Sequence, residues 1–141
     1  MNLRKISLAT KLGKLEGYVK IITGLQKEVN KKRFLNDDFV QKTIERYLQL
    51  ALEAVLDIAD HVVNEYAFEK GETYRDVILI LGKNKVLPEK FAKKFSPAAG
   101  FRNILVHNYI SLNAEKVFNH FKKDAGDIRK FMQYVVRFIE G

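Results

Sequence analysis

Within the stretch GFRNILVHNYI (100–110), Arg102, Asn103, His107 and Tyr109 stand together in a chain that is otherwise mostly apolar or Lys-rich. These residue types suit a phosphodiester. Cleaving RNA without a metal requires one group to take the 2′-hydroxyl proton, another to protonate the leaving 5′-oxygen, and fixed positive charge at the phosphorane. A histidine serves in either proton role near neutral pH. An arginine keeps its charge and binds phosphate oxygens in a fork. Spacing adds a constraint: at ~100° per residue, Arg102 and His107 lie about 140° apart on an ideal helix, so one helix does not aim both at one atom. A two-fold axis that joins the Arg–His sets of two protomers meets the requirement and supplies two histidines, one as base and one as acid. The same residues near a helix end also serve as ordinary caps and satisfied polar groups, and residue chemistry alone leaves both readings open.

Other chemistries find less support. With no Cys in 141 residues, disulfides, Cys-ligated zinc, iron–sulfur clusters and thiol catalysis are excluded. A di-iron carboxylate bundle needs Glu-x-x-His pairs, whereas Ile58, Ile104 and Val117 stand three residues before His61, His107 and His120. Asp57 and His61, at i and i+4, form either half of a metal site or a hydrogen-bonded pair. Gly82–Lys83 lacks the upstream Gly and following Ser/Thr of a phosphate-binding loop. The RNA chemistry asks for no cofactor and no metal.

Net charge is +8, unevenly spread: residues 1–36 carry 9 basic and 2 acidic side chains, 37–76 carry 4 and 10, and 77–141 carry 12 and 5. Basic ends suit a polyanion such as RNA, and equally a solvated Lys-rich surface. Lys83, Lys85, Lys90, Lys93 and Lys94 make a strip leading to the motif, with Lys93 and Lys94 the candidate RNA contacts. Glu53, Asp57 and Asp60 lie near Arg46 and read as helix-face ion pairs, and His120 as a helix-surface residue. No apolar run approaches the ~18 residues of a membrane span. The N-terminus, MNLRKISLATKLGK, has no long apolar leader core, so a cytoplasmic location is expected.

Apolar residues recur at 3–4 spacing nearly throughout, which predicts an all-α fold in a single domain over 1–141, an up-and-down bundle of four to five helices. The clearest helix covers roughly 38–67, with Val40, Ile44, Leu48, Ala51, Val55, Ile58 and Val62 on one stripe and Leu52, Leu56, Ala59 and Val63 on another. Two stripes mean a central position or a face shared with a partner subunit, and the second stripe offers the dimer a surface. Residues 4–30 form a helix ended by a basic turn at Asn30–Arg33. Thr73, with Asp76 three residues on, opens a short helix that ends near Gly82. Pro88 starts another, Glu89–Phe95, which Pro97 breaks before the chain resumes near Ala99. Asn113 caps a final helix to about Ile139.

RNILVHNY resembles the R-x4-H-x-Y motif of the HEPN superfamily, specifically the HepT-like proteins that pair with minimal nucleotidyltransferases such as MntA, with Arg102, His107 and Tyr109 in its three positions. IERYLQLALEAVLDIADHVV (44–63), GETYRDVILIL (71–81) and AEKVFNHF (114–121) resemble that family's second, third and last helices; only the first ~35 residues are generic. The resemblance implies a helical bundle, assembled as a homodimer or higher even oligomer, that acts as a metal-independent endoribonuclease toxin. It implies catalysis by Arg102 and His107, support from Asn103, and adenylylation of Tyr109 by a nucleotidyltransferase antitoxin, silencing the toxin. A bulky anion two residues from His107 would repel RNA. The alternative is a non-catalytic module that binds the nucleotidyltransferase. A helical DNA-binding regulator fits the charge but not the scattered placement of basic residues.

Overall fold

The computed structural model describes residues 3–107 and 113–141. Six helices follow one another: α1 (Leu3–Glu28), α2 (Lys31–Asn36), α3 (Asp38–Glu65), α4 (Tyr74–Lys83), α5 (Glu89–His107) and α6 (Ala114–Glu140). No strand occurs among the described residues, and no described helix is long and apolar enough to cross a membrane.

Both apolar stripes of α3 are buried within the chain, Ile44, Leu48, Val55 and Ile58 on one and Leu52, Leu56, Ala59 and Val63 on the other. The reason is position: α3 packs against each of the other five helices, so neighbours on several sides cover it. The expectation that the second stripe is a dimer surface is therefore overturned. The caps anticipated at Thr73 and Asn113 are in place, and Asp37 caps α3. Asp37 Oδ1 accepts from Val40 N at 3.1 Å, Thr73 and Asp76 form a reciprocal capping box, and Asn113 Oδ1 accepts from Lys116 N at 3.2 Å.

Two elements differ from the sequence expectation. The basic turn at Asn30–Arg33 is the start of α2, which raises the helix number to six. Asn30 Oδ1 accepts from Arg33 N at 2.8 Å, and Phe34 is fully buried beside Phe118 and Phe121, with ring centroids 5.4 and 6.4 Å away. One aromatic anchor holds a polar turn that periodicity does not reveal. Nor does Pro97 break its helix, since α5 is continuous through it. Proline leaves the carbonyl four residues back without its usual N–H donor; here Ser96 Oγ donates to that carbonyl, Lys93 O, at 3.2 Å.

The pair α4 and α5 approaches closely at Gly82, one residue before α4 ends, as expected. A Cβ on Gly82 would stand 2.6 Å from Ala92 Cβ. Gly82→Ala is expected to destabilise the fold by about 1–3 kcal/mol through overpacking. Urea unfolding of the single variants and of Gly82→Ala/Ala92→Gly checks this, the double variant recovering part of the loss; additive losses would place the strain elsewhere.

Candidate active site

Arg102 and Asn103 project from the second half of α5, and His107 is its last residue. The guanidinium of Arg102 is held from three directions. Its Nη2 donates to Glu53 Oε1 on α3 at 3.1 Å, its Nη1 to Tyr74 Oη at the start of α4 at 3.4 Å and to Asn103 Oδ1 at 3.3 Å. Its carbon lies 5.3 Å from the centre of the Tyr74 ring, within cation–π range. The Arg102 side chain is 21% exposed, and its Nε is buried without a hydrogen-bond partner among the described residues. Glu53 is itself held by Gln49 Nε2 at 3.0 Å. The result is a guanidinium fixed in direction, with a compensating carboxylate on one edge.

His107 is exposed. With helical geometry from 102 to 107, the two side chains diverge as the spacing predicts, so the helix brings them to one end but not to one atom. Asn103, exposed and bonded to Arg102, stands between them in the chain. Tyr109 lies outside the described residues. Lys93 and Lys94 are both exposed on the first half of α5; the Lys94 ammonium sits 3.8 Å from Asp127 Oδ1 on α6. Two others of the Lys strip are paired with carboxylates, Lys83 with Glu69 at 2.9 Å and Lys85 with Glu89 at 3.2 Å.

Four polar residues take roles that sequence reasoning missed or misread. Glu53 is not a simple helix-face partner of Arg46, because it reaches across to Arg102, 49 positions on, and no local pattern signals that pairing. Asp57 and His61 both face Lys11, whose Nζ is 3.4 Å from Asp57 Oδ1 and 3.2 Å from His61 Nδ1. No group of three metal-ligating side chains occurs among the described residues. His120 is not a free surface residue: its ring stacks on Phe101 with centroids 3.8 Å apart and planes 11° apart, while Nδ1 lies 3.0 and 3.2 Å from the two oxygens of Asp124. Their i, i+4 spacing was a visible signal.

Asp124 is 1% exposed. Burial pushes its carboxyl above the ordinary range, opposed by the hydrogen bond and charge of His120. A raised folded-state pKa means that the contribution to stability is full below the unfolded value and falls as pH rises through the folded one. Asp124→Asn has nothing to ionise, so its unfolding free energy relative to the parent should increase as pH rises above the ordinary carboxylate value of about 4. A pH-independent difference in urea titrations would show that Asp124 ionises as it does in the unfolded chain.

Residues 15–135 match the family described as Ribonuclease HepT-like. A tRNA nuclease HepT from Aphanizomenon flos-aquae is 36% identical over 95 residues, covering 62% of this chain and 65% of that protein, so the match spans slightly less than two thirds of the relative. An mRNA nuclease HepT from Shewanella oneidensis is 26% identical over 103 residues, covering 73% of this chain and 77% of that one. The solved structure of a tri-AMPylated Shewanella oneidensis HEPN toxin in complex with MNT antitoxin superimposes with a TM-score of 0.82 at 23% identity, covering 97% of this chain and 99% of that chain, which shows the same fold. The matched region takes in all of α2–α5, most of α6 and the Arg102, His107 and Tyr109 positions, and the chain belongs to the HepT-like ribonuclease family.

Proposed function

We propose that the chain is an endoribonuclease toxin whose antitoxin is a minimal nucleotidyltransferase. The observation that carries this reading is the Arg102 guanidinium, fixed by Glu53 and Tyr74 on the same helix that ends in exposed His107. Pre-set positive charge is what a phosphorane needs, because no reorganisation is then required as charge develops. The relatives named as tRNA and mRNA nucleases support an RNA substrate.

In the proposed reaction one His107 removes the proton from a 2′-hydroxyl, whose oxygen bonds to phosphorus while the bond to the 5′-oxygen breaks. Arg102 binds the non-bridging oxygens, and Asn103 orients substrate or His107. The leaving oxygen takes a proton from the second His107, contributed by the other protomer of a homodimer or higher even oligomer. Products are a 2′,3′-cyclic phosphate and a 5′-hydroxyl, and no metal takes part. Adenylylation of Tyr109 by the antitoxin silences the toxin by placing an anion two residues from His107.

Cleavage of labelled total RNA by purified protein in EDTA tests this. Arg102→Ala and His107→Ala should each lower activity by about a hundredfold or more while remaining folded, and wild-type products should carry cyclic phosphate ends. Absence of cleavage by a wild-type chain whose intact mass shows no added AMP would instead favour a non-catalytic module that binds the nucleotidyltransferase.

Glu53 should act by orienting Arg102. Glu53→Gln is expected to lower kcat by about tenfold with KM within about twofold, since misaiming a transition-state contact leaves ground-state binding largely intact. An unchanged kcat with a lowered melting temperature would reduce the contact to a structural one.

A further inference from the structure

A groove of ≈ 420 Å³ runs beside the candidate site, between the start of α4, the middle of α5 and the start of α6. Tyr74 and Asn103, both bonded to Arg102, form part of its wall, so it opens directly alongside the guanidinium. Arg75, Lys116 and His120 also line it, above the buried ring of Phe101. Among the described residues its lining has no carboxylate. That distinguishes it from four other grooves, which hold Glu16, Glu65, Glu53 with Asp57, and Glu69 with Glu72 and Asp76.

The cations here are also uncompensated. Neither the Arg75 nor the Lys116 side chain has a hydrogen-bond or ion-pair partner among the described residues, whereas Lys11, Lys83, Lys85 and Lys94 each face a carboxylate. Arg75 has a seat on α5: a Cβ on Gly100 would stand 3.0 and 3.1 Å from its Cδ and Cγ, so the missing side chain lets the arginine stem lie against the helix. His120 is held by Phe101 and by buried Asp124 through Nδ1, which leaves Nε2 as its remaining polar atom.

We propose that this groove is a subsite for single-stranded RNA, in which Arg75 and Lys116 bind the phosphate of a nucleotide neighbouring the one at Arg102, and His120 Nε2 supplies a further polar contact. The inference rests on the nuclease reading for the identity of the polyanion. Its physical basis is separate: Arg75 on α4 and Lys116 on α6, neither with a carboxylate partner among the described residues, converge with His120 on a cavity whose described lining holds no carboxylate. Phosphate contacts supply affinity without reading bases, so the subsite would bind RNA with little sequence preference.

The test uses the full chain carrying His107→Ala, so that bound RNA survives, and a fluorescein-labelled single-stranded oligouridylate of about ten nucleotides. Anisotropy titrations over a range of KCl compare this chain with Arg75→Ala/Lys116→Ala and with Lys20→Ala/Lys130→Ala, which removes the same charge from exposed positions outside the groove. The groove variant should bind about tenfold more weakly at moderate salt, with the slope of log affinity against log salt reduced by about 0.7, the value for one phosphate of a single strand no longer neutralised. The distant variant should change neither by more than about a third of that. Equal losses in the two variants, or no RNA binding by the His107→Ala chain, would overturn the subsite. Cleavage by the chain with His107 intact is read separately. Cleavage with no groove dependence keeps the nuclease and rejects the subsite, and groove-dependent binding with no cleavage keeps the subsite and rejects the nuclease.

Discussion

The structure depends on how α3 is enclosed. A helix with apolar residues on two faces is stable in water only when neighbours cover both, and here five helices do so. Enclosure has a consequence for every polar group on α3. Glu53 lies where α3 meets α5, its side chain 34% exposed, too sheltered for full hydration. A carboxylate in such a partly sheltered place gains from a charged hydrogen-bond partner. Arg102 provides it, and the pair ties the central helix to the helix that carries the candidate chemistry. The same contact that satisfies the core also aims the guanidinium.

How far this was legible in the sequence follows from the range of each interaction. The long stripe of α3, the Thr73–Asp76 capping box and the Asn113 cap are set by residues within a few positions of one another, and they stand where periodicity and cap chemistry place them. The α2 turn was missed because its stabilisation comes from Phe34 meeting Phe118 and Phe121, more than 80 positions away. Pro97 misled for a different reason: the rule that proline breaks helices presumes an orphaned carbonyl, and the neighbouring Ser96 hydroxyl meets that need. Arg102, Asn103 and His107 could be singled out because they fall in one short segment. Glu53 could not be joined to them without the fold, since a carboxylate on a helix has many cations within reach of the chain and only packing selects one.

Charge placement follows a related logic. The +8 net charge reads as a diffuse basic surface, yet several lysines sit against carboxylates, among them Lys11, Lys83, Lys85 and Lys94. The exposed pairs among them, Lys83–Glu69 and Lys85–Glu89, contribute little to stability. Their larger effect is on the field, because each paired lysine adds little to the potential a polyanion feels at a distance. What survives is concentrated where cations face no carboxylate. Total charge therefore says less about a nucleic-acid surface than the pattern of compensation does, and that pattern exists only in three dimensions.

Arg102 itself illustrates the division of labour this produces. In the proposed reaction, with Glu53 on one edge, its guanidinium would be a weak long-range attractor for RNA but a well-directed one at contact, where hydrogen-bond geometry governs and preorganisation lowers the cost of stabilising developing charge. Attraction over several ångströms would then come from nearby cations without carboxylate partners among the described residues, and Arg75 and Lys116 are the groups so placed, across the Tyr74 and Asn103 wall. An arginine left free in solvent would attract more strongly and aim less well. Pairing it with a carboxylate of the central helix exchanges reach for direction, and that exchange is workable only because other helices present cations alongside.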